Sequence, residues 1–214
     1  MILQRVPLHT RDLLDIGCGN GALSSELARK ADSVVAIDID RKSIEQAQSR
    51  FRGFSGLEFR VGDALRLEEI LGGAQFDCIV SVLALHHVNI PHVVQDMRTH
   101  LRENGRIVIV DLYANSKGSF IGYLLDQLLL SQICELSAVL ATMKEIGIAR
   151  TLSFLVWRFR FATSPTGFRH FREEFARRMP PSLPEWRAVL QENLPNGSER
   201  IVMGSVLMYS WTHL

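Results

Sequence analysis

Carboxylates, glycines and histidines recur in this chain at the ends of apolar runs, where side chains can meet a ligand. In Leu13-Leu14-Asp15-Ile16-Gly17-Cys18-Gly19-Asn20-Gly21, an apolar run meets a carboxylate and then three glycines at alternate positions. Glycines so spaced mark a sharp turn where a ligand lies against bare backbone, because a β-carbon would occupy its space. Asp38 closes a second apolar run, Val34-Val35-Ala36-Ile37, and Asp63 follows a third in Val61-Gly62-Asp63-Ala64. His86 and His87 follow a fourth run, and Asp111 and Tyr113 end a fifth. A carboxylate accepts hydrogen bonds or balances a cation, and a histidine exchanges protons near neutral pH.

The elements that must carry these residues alternate. Strands are predicted over Asp12–Ile16, Ser33–Asp38, Leu57–Val61, Phe76–Val82 and Arg106–Leu112. Helices are predicted over Ala22–Lys30, Arg41–Phe51, Leu65–Leu71 and Pro91–Glu103. Asp40 caps the second helix, and Asn89 with Pro91 opens the fourth. Glu103-Asn104-Gly105 reads as the fourth helix's stop. Strand and helix at this period imply a parallel, doubly wound sheet covered on both faces. From Tyr113 to about Pro181 the rhythm breaks into a long, helical-looking insertion. Ser182-Leu183-Pro184-Glu185 then reads as a capping box for a helix to Leu194, and Ile201–Met203 and Val206–Trp211 as a hairpin.

Composition narrows the partners. The chain has 214 residues, 47% hydrophobic and 22% charged, with a net charge of +1, which gives no global pull toward nucleic acid or membrane. Cys18, Cys78 and Cys134 form no CxxC pair, so neither a zinc site nor a disulfide framework is expected, and reduced cytoplasmic thiols are. Residues 1–11 lack the apolar core of a signal peptide.

The glycine corner admits two ligands. Gly17, Gly19 and Ala22 satisfy the loose dinucleotide pattern G-x-G-x-x-A. Asp15, two residues before the glycines, would repel a pyrophosphate and suits an ammonium, such as the methionine part of S-adenosylmethionine. Asp38 is placed to accept both ribose hydroxyls, and Asp63 to hold an adenine amino group. Taken in order, Leu14–Gly21, Val35-Ala36-Ile37-Asp38, Gly62-Asp63-Ala64, and Phe76–Ser81 followed by Leu85-His86-His87 resemble the class I S-adenosylmethionine-dependent methyltransferases of small-molecule type. The resemblance covers Leu13 to Leu112 and resumes at Ser182.

It implies an α/β, Rossmann-like, seven-stranded sheet with an antiparallel last strand and a helical insertion after the fifth strand. One domain is expected: 1–112 as the cofactor-binding half, 113–181 as a helical cap, and 182–214 as the helix and hairpin completing the sheet. Gly17, Gly19 and Gly21, with Cys18 between them, would surround the cofactor's amino-acid end. Asp38 with Ile39 would take the ribose, Asp63 with Ala64 the adenine, and Ser81 and Val82 the methionine and sulfonium. Asp63 also reads as a helix cap, and Ser81 as a small packing residue. His87 reads as a base or a pocket-orienting residue, with His86 and Asp111 beside it as further catalytic candidates, or as a loop histidine. Asp111 is expected either to face the same cleft or only to bond a loop amide. Relatives commonly carry a helix before the first strand, so the insertion or a neighbouring subunit is expected to supply the lid.

The activity implied is methyl transfer to oxygen or carbon of a small, largely apolar metabolite. The alternatives are a cofactor-binding cyclase or pericyclase, and a non-catalytic partner subunit. No Asn/Asp-Pro-Pro-Tyr/Phe segment follows the fourth strand, which argues against methylation of DNA bases, and no metal cluster is predicted. The apolar stripe in Phe120–Met143 reads as a cap over the site or as core or dimer contact, and its polar residues make it a poor transmembrane span. Arg150 to Arg187 holds eight arginines against Glu173, Glu174 and Glu185, which suits a solvated face, an anionic acceptor, a carrier protein or a lipid surface. Cytoplasmic location follows, with no nucleic acid as partner and with a homodimer and a peripheral membrane contact left open.

Overall fold

The computed structural model describes residues 2–114, 180–202 and 206–213. The expected stripe over Phe120–Met143 and most of the arginine-rich segment lie outside the described residues. Residues Met1–Tyr113 and Pro181–Leu214 form one compact unit.

Seven strands make one sheet: β1 (Thr10–Ile16), β2 (Ala31–Asp38), β3 (Leu57–Val61), β4 (Phe76–Val82), β5 (Leu101–Leu112), β6 (Ser198–Val202) and β7 (Val206–Thr212). Their order is β3-β2-β1-β4-β5-β7-β6. The first five run parallel, and β7 is antiparallel to both β5 and β6. The Rossmann-like sheet with its antiparallel final strand is the architecture the sequence implies. Five α-helices are described: α1 (Ala22–Leu27), α2 (Arg41–Arg50), α3 (Leu67–Leu71), α4 (Ile90–Thr99) and α5 (Leu183–Asn193).

The central strands are apolar on both faces because both are covered. Successive residues face opposite sides. Leu14, Ile79, Ile107 and Ile109 join one core with Leu67 and Leu71 of α3, Val93, Val94 and Met97 of α4, and Trp186 and Leu190 of α5. Leu13, Cys78, Val80 and Val108 join the other with Leu27 of α1 and Val6. Trp186 is fully buried, and its indole N–H donates to the Leu112 carbonyl at 3.0 Å, which ties α5 to the end of β5. At the start of α5, the backbone N–H and the hydroxyl of Ser182 both donate to the Glu185 carboxylate at 2.7 Å.

One helix end differs from expectation. α4 stops at Thr99, and β5 begins at Leu101, so Glu103-Asn104-Gly105 lies inside a strand. Asn104 does adopt the left-handed conformation its Asn-Gly pair suggests, at φ 62°. Its N–H donates to the His213 carbonyl at 2.9 Å, and the Gly105 carbonyl accepts from His213 at 2.9 Å. The turn signal serves an irregularity in β5, held by the far end of the chain. α1 likewise ends at Leu27, three residues before Lys30.

Candidate functional site

A parallel sheet binds ligands at the carboxyl ends of its strands, where neighbouring connections leave on opposite faces. Here that point lies between β1 and β4. A cavity of about 330 Å³ opens there, lined by Ile16, Gly17, Gly19, Ile37, Asp38, Ile39, Gly62, Asp63, Ala64, Leu83, Ala84, Leu85, His87 and Val88. Of the residues expected from sequence, it brings together Gly17, Gly19, Asp38, Ile39, Asp63, Ala64 and His87.

The three glycines have left-handed backbones but do different work. A β-carbon at Gly17 would fall 2.2 Å from that of Ala84, and one at Gly21 would fall 2.5 Å from the Phe59 ring. At Gly19 it would meet nothing within 4 Å. Packing therefore excludes side chains at Gly17 and Gly21, whereas Gly19 leaves bare backbone facing open cavity. Gly21 does not line the cavity. It caps α1 and admits the Phe59 ring.

Asp38 anchors the corner. One carboxylate oxygen accepts the Gly19 N–H at 2.7 Å and the other the Asp40 N–H at 2.8 Å. Each oxygen keeps a second lone pair for an incoming donor. Next to it Ile39 is 71% exposed, an apolar side chain left without protein cover. Asp63 lines the cavity and also caps the short helical turn Ala64–Arg66, accepting the Leu65 N–H at 2.9 Å. Asp40 caps α2, and the hydrogen bond from Ser43 holds its carboxyl below the usual range.

Asp15 does not reach the cavity wall. It is buried behind the glycine loop, where its carboxylate accepts the Ser24 hydroxyl at 2.7 Å. Burial pushes its pKa up to about 6; Ser24 opposes the rise, and the nearby Asp38 charge adds to it. Cys18 also stays out of the cavity, packed with Ala36, Ile44, Ala47 and Phe59. Burial, then the Asp15 and Asp38 charges, push its thiol up to about 12, which leaves it unreactive. Ser81 is buried, and its hydroxyl donates to the Ile16 carbonyl at 3.0 Å, locking β4 to β1. Val82 packs against the core on the α1 side.

The histidines divide similarly. His87 lines the cavity, on a short helical turn Leu85–His87. His86 turns away, its side chain 8% exposed, with Nδ1–H donating to Asp111 at 2.5 Å. Asp111 is fully buried and is not among the residues lining the cavity; of its two readings, the structure carries the bond to loop amides rather than a place in the cleft. Its carboxylate also accepts the N–H groups of Leu85 at 2.7 Å, His86 at 3.2 Å and Leu112 at 2.7 Å. This hub pins the turn carrying His87 to β5, and the His86 ring lies 3.8 Å from that of His87, centroid to centroid. Sequence reasoning did not single out Leu83, Ala84 and Val88 as wall residues. The motif Leu85-His86-His87 was the available signal, since its neighbours share the same turn. Among the described residues, no cluster of His, Cys, Asp and Glu could hold a metal ion.

A mixed sheet of this order, with an open glycine corner and an acidic residue ending β2, defines the Rossmann-like methyltransferase class. A family model described as a methyltransferase domain matches residues 10–162, and the chain belongs to that family. An uncharacterized methyltransferase of Mycobacterium tuberculosis is 40% identical over 103 residues, 48% of this chain and 48% of that protein. A ubiquinone biosynthesis O-methyltransferase of Xylella fastidiosa is 34% identical over 124 residues, 56% of this chain and 48% of that protein. The chain thus spans about half the length of these curated relatives. In fold, it is similar to the YcgJ protein of Bacillus subtilis (TM-score 0.59, 21% identity, covering 94% of this chain and 67% of that one). It is also similar to the N-methyltransferase NodS of Bradyrhizobium japonicum in complex with S-adenosylhomocysteine (TM-score 0.56, 15% identity, covering 96% and 79%).

Proposed function

We propose that the protein transfers a methyl group from S-adenosylmethionine to an oxygen or carbon of a small, largely apolar metabolite. One observation carries this reading: a single cavity gathers open backbone at Gly19, the carboxylates of Asp38 and Asp63, and the His87 side chain. The residues present fit the cofactor. Gly19 leaves room where a β-carbon would intrude, Asp38 keeps lone pairs for two hydroxyls, and Ile39 and Ala64 offer apolar surface to a purine. The acidic wall favours a cationic ligand over a pyrophosphate. When bound, S-adenosylmethionine supplies an electrophilic methyl group on a sulfonium.

The protein's part is alignment, desolvation and proton removal. Asp38 and Asp63 orient the nucleoside, and Asp15 sets the charge behind the loop. His87 accepts the proton of an oxygen or carbon acceptor, and His86 with Asp111 fixes the turn that aims it. The resemblance to an O-methyltransferase supports oxygen as the acceptor atom. Buried Cys18 and Cys78 support a reducing, cytoplasmic setting. Among the described residues, no helix is long and apolar enough to cross a membrane.

Calorimetric titration with S-adenosylmethionine and, separately, with NADH tests the cofactor. Micromolar binding of the former alone is expected, and binding of NADH alone would overturn the reading. Formation of S-adenosylhomocysteine with an acceptor then separates methyl transfer from cyclisation on the same cofactor.

A further inference from the structure

We propose that the outward face of α2, with the turn that follows it, is a docking surface for an anionic lipid bilayer. α2 buries Ile44 and Ala47 against Cys18, Ala36 and Phe59. On its other side Lys42, Glu45, Gln46, Ser49 and Arg50 line one shallow depression. Arg41, at its start, and Arg52, just past its end, are exposed as well. Residues 41–54 thus hold four cations against Glu45, in a chain whose net charge is only +1.

These cations are not used by the fold. Arg29, Arg60, Arg66, Arg102 and Arg187 each pair with a carboxylate. Among the described residues, Arg41, Lys42, Arg50 and Arg52 form no such pair. Arg50 lies instead over the Phe51 ring, 5.2 Å from its centroid. Like charges gathered on one face repel, and a partner of opposite charge relieves that repulsion.

Phe54 says which partner. It sits in the turn after α2, its N–H donating to the Phe51 carbonyl at 3.1 Å, and it is 39% exposed. An exposed phenylalanine alone is ordinary, but this one lies beside the unpaired cations. Phe51 is half-buried beneath Arg50 and meets Phe54 edge-on, so the patch has no row of aromatic faces on which bases could stack. One apolar wedge among cations suits a bilayer, whose headgroups meet the cations and whose acyl boundary takes the ring. α2 starts two residues after Ile39, which lines the cavity, so lipid at the start of α2 lies beside the β2 rim of that cavity.

The test is co-sedimentation of the full chain with phosphatidylcholine vesicles, with and without phosphatidylglycerol, at low and high salt. Binding is expected only with phosphatidylglycerol, and it is expected to weaken as salt rises. A basic residue near such a surface strengthens association roughly fivefold, so Lys42→Gln/Arg52→Gln is expected to weaken it roughly twenty- to thirtyfold. Phe54→Ser is expected to weaken it roughly three- to tenfold with the salt dependence unchanged. The double variant is expected to keep the wild-type melting temperature, because neither side chain is paired in the fold. Wild-type vesicle affinity in the double variant overturns the inference, as does failure of the wild type to bind or equal binding to phosphatidylcholine alone. A single-stranded RNA that binds wild type and not the double variant, with vesicles left unbound, assigns the patch to nucleic acid and overturns it too.

Discussion

Replacing Asp15 with asparagine should make the protein more stable and a poorer binder. The carboxyl is buried, and its pKa rises from the ordinary 3.8 to about 6. A shift of about two units corresponds to about 3 kcal/mol at roughly 1.36 kcal/mol per unit. The sign follows from proton binding. Between about pH 4 and pH 6 the folded protein holds this proton and the unfolded chain does not. The contribution of Asp15 to stability is therefore highest below pH 4, falls between about pH 4 and pH 6, and carries the whole cost above that. Asparagine is neutral throughout, and its amide oxygen still accepts the Ser24 hydroxyl. Urea unfolding followed by tryptophan fluorescence should show Asp15→Asn more stable than wild type by about 1–3 kcal/mol at pH 7.5, below the full figure because a buried amide has needs of its own. At pH 4 the two proteins should coincide. Titration at pH 7.5 should show weaker binding of S-adenosylmethionine, because the variant removes a negative charge behind the glycine loop. A variant no more stable than wild type at pH 7.5, with the gap unchanged down to pH 4, would refute the argument.

The glycines offer a paired comparison. Gly19→Ala should lose only about 1 kcal/mol of stability, for its positive φ, while cofactor affinity collapses, because its new methyl group enters the cavity. Gly21→Ala should cost a further 1–3 kcal/mol through overlap with Phe59, visible as a lower melting temperature. Equal stability loss in the two would contradict the division of roles. Asp38→Ala should weaken S-adenosylmethionine binding by about 1–3 kcal/mol in calorimetry, and an unchanged affinity would remove Asp38 from the site. His87→Ala should lower kcat by roughly 10²–10⁴ with little change in cofactor Kd. An unaltered rate at saturating substrate would make His87 scaffold.

The sheet was legible because its signals are local. The run Ile107-Val108-Ile109-Val110 is apolar at every position, as a strand covered on both faces requires, and Asp40, Asn89 and Ser182 announce their helices within four residues. The end of α4 was not legible. Asn104-Gly105 states that a left-handed residue is needed, but the partners that make the surroundings a strand, β4 at Phe76 and the His213 backbone, are distant in sequence. The site divides on the same line. Asp38 and Asp63 end or follow strands whose direction the sequence supplies. Whether Gly19 or Gly21 faces the ligand depends on Phe59, and Asp111 turns inward because three backbone amides and His86 converge on it.

The place of β7 between β5 and β6 bears on how the chain is born. Arg106 pairs with Thr212, a separation of 106 residues. At about 5–20 residues per second, a ribosome takes roughly 5–20 s to supply that partner. For that interval one hydrogen-bonding edge of β5 stands open on the nascent chain, and its sequence, Ile107 to Val110, is of the kind that pairs with other chains. Slow synthesis would lengthen that exposure, and a chaperone that recognises extended apolar segments would find its target in β5.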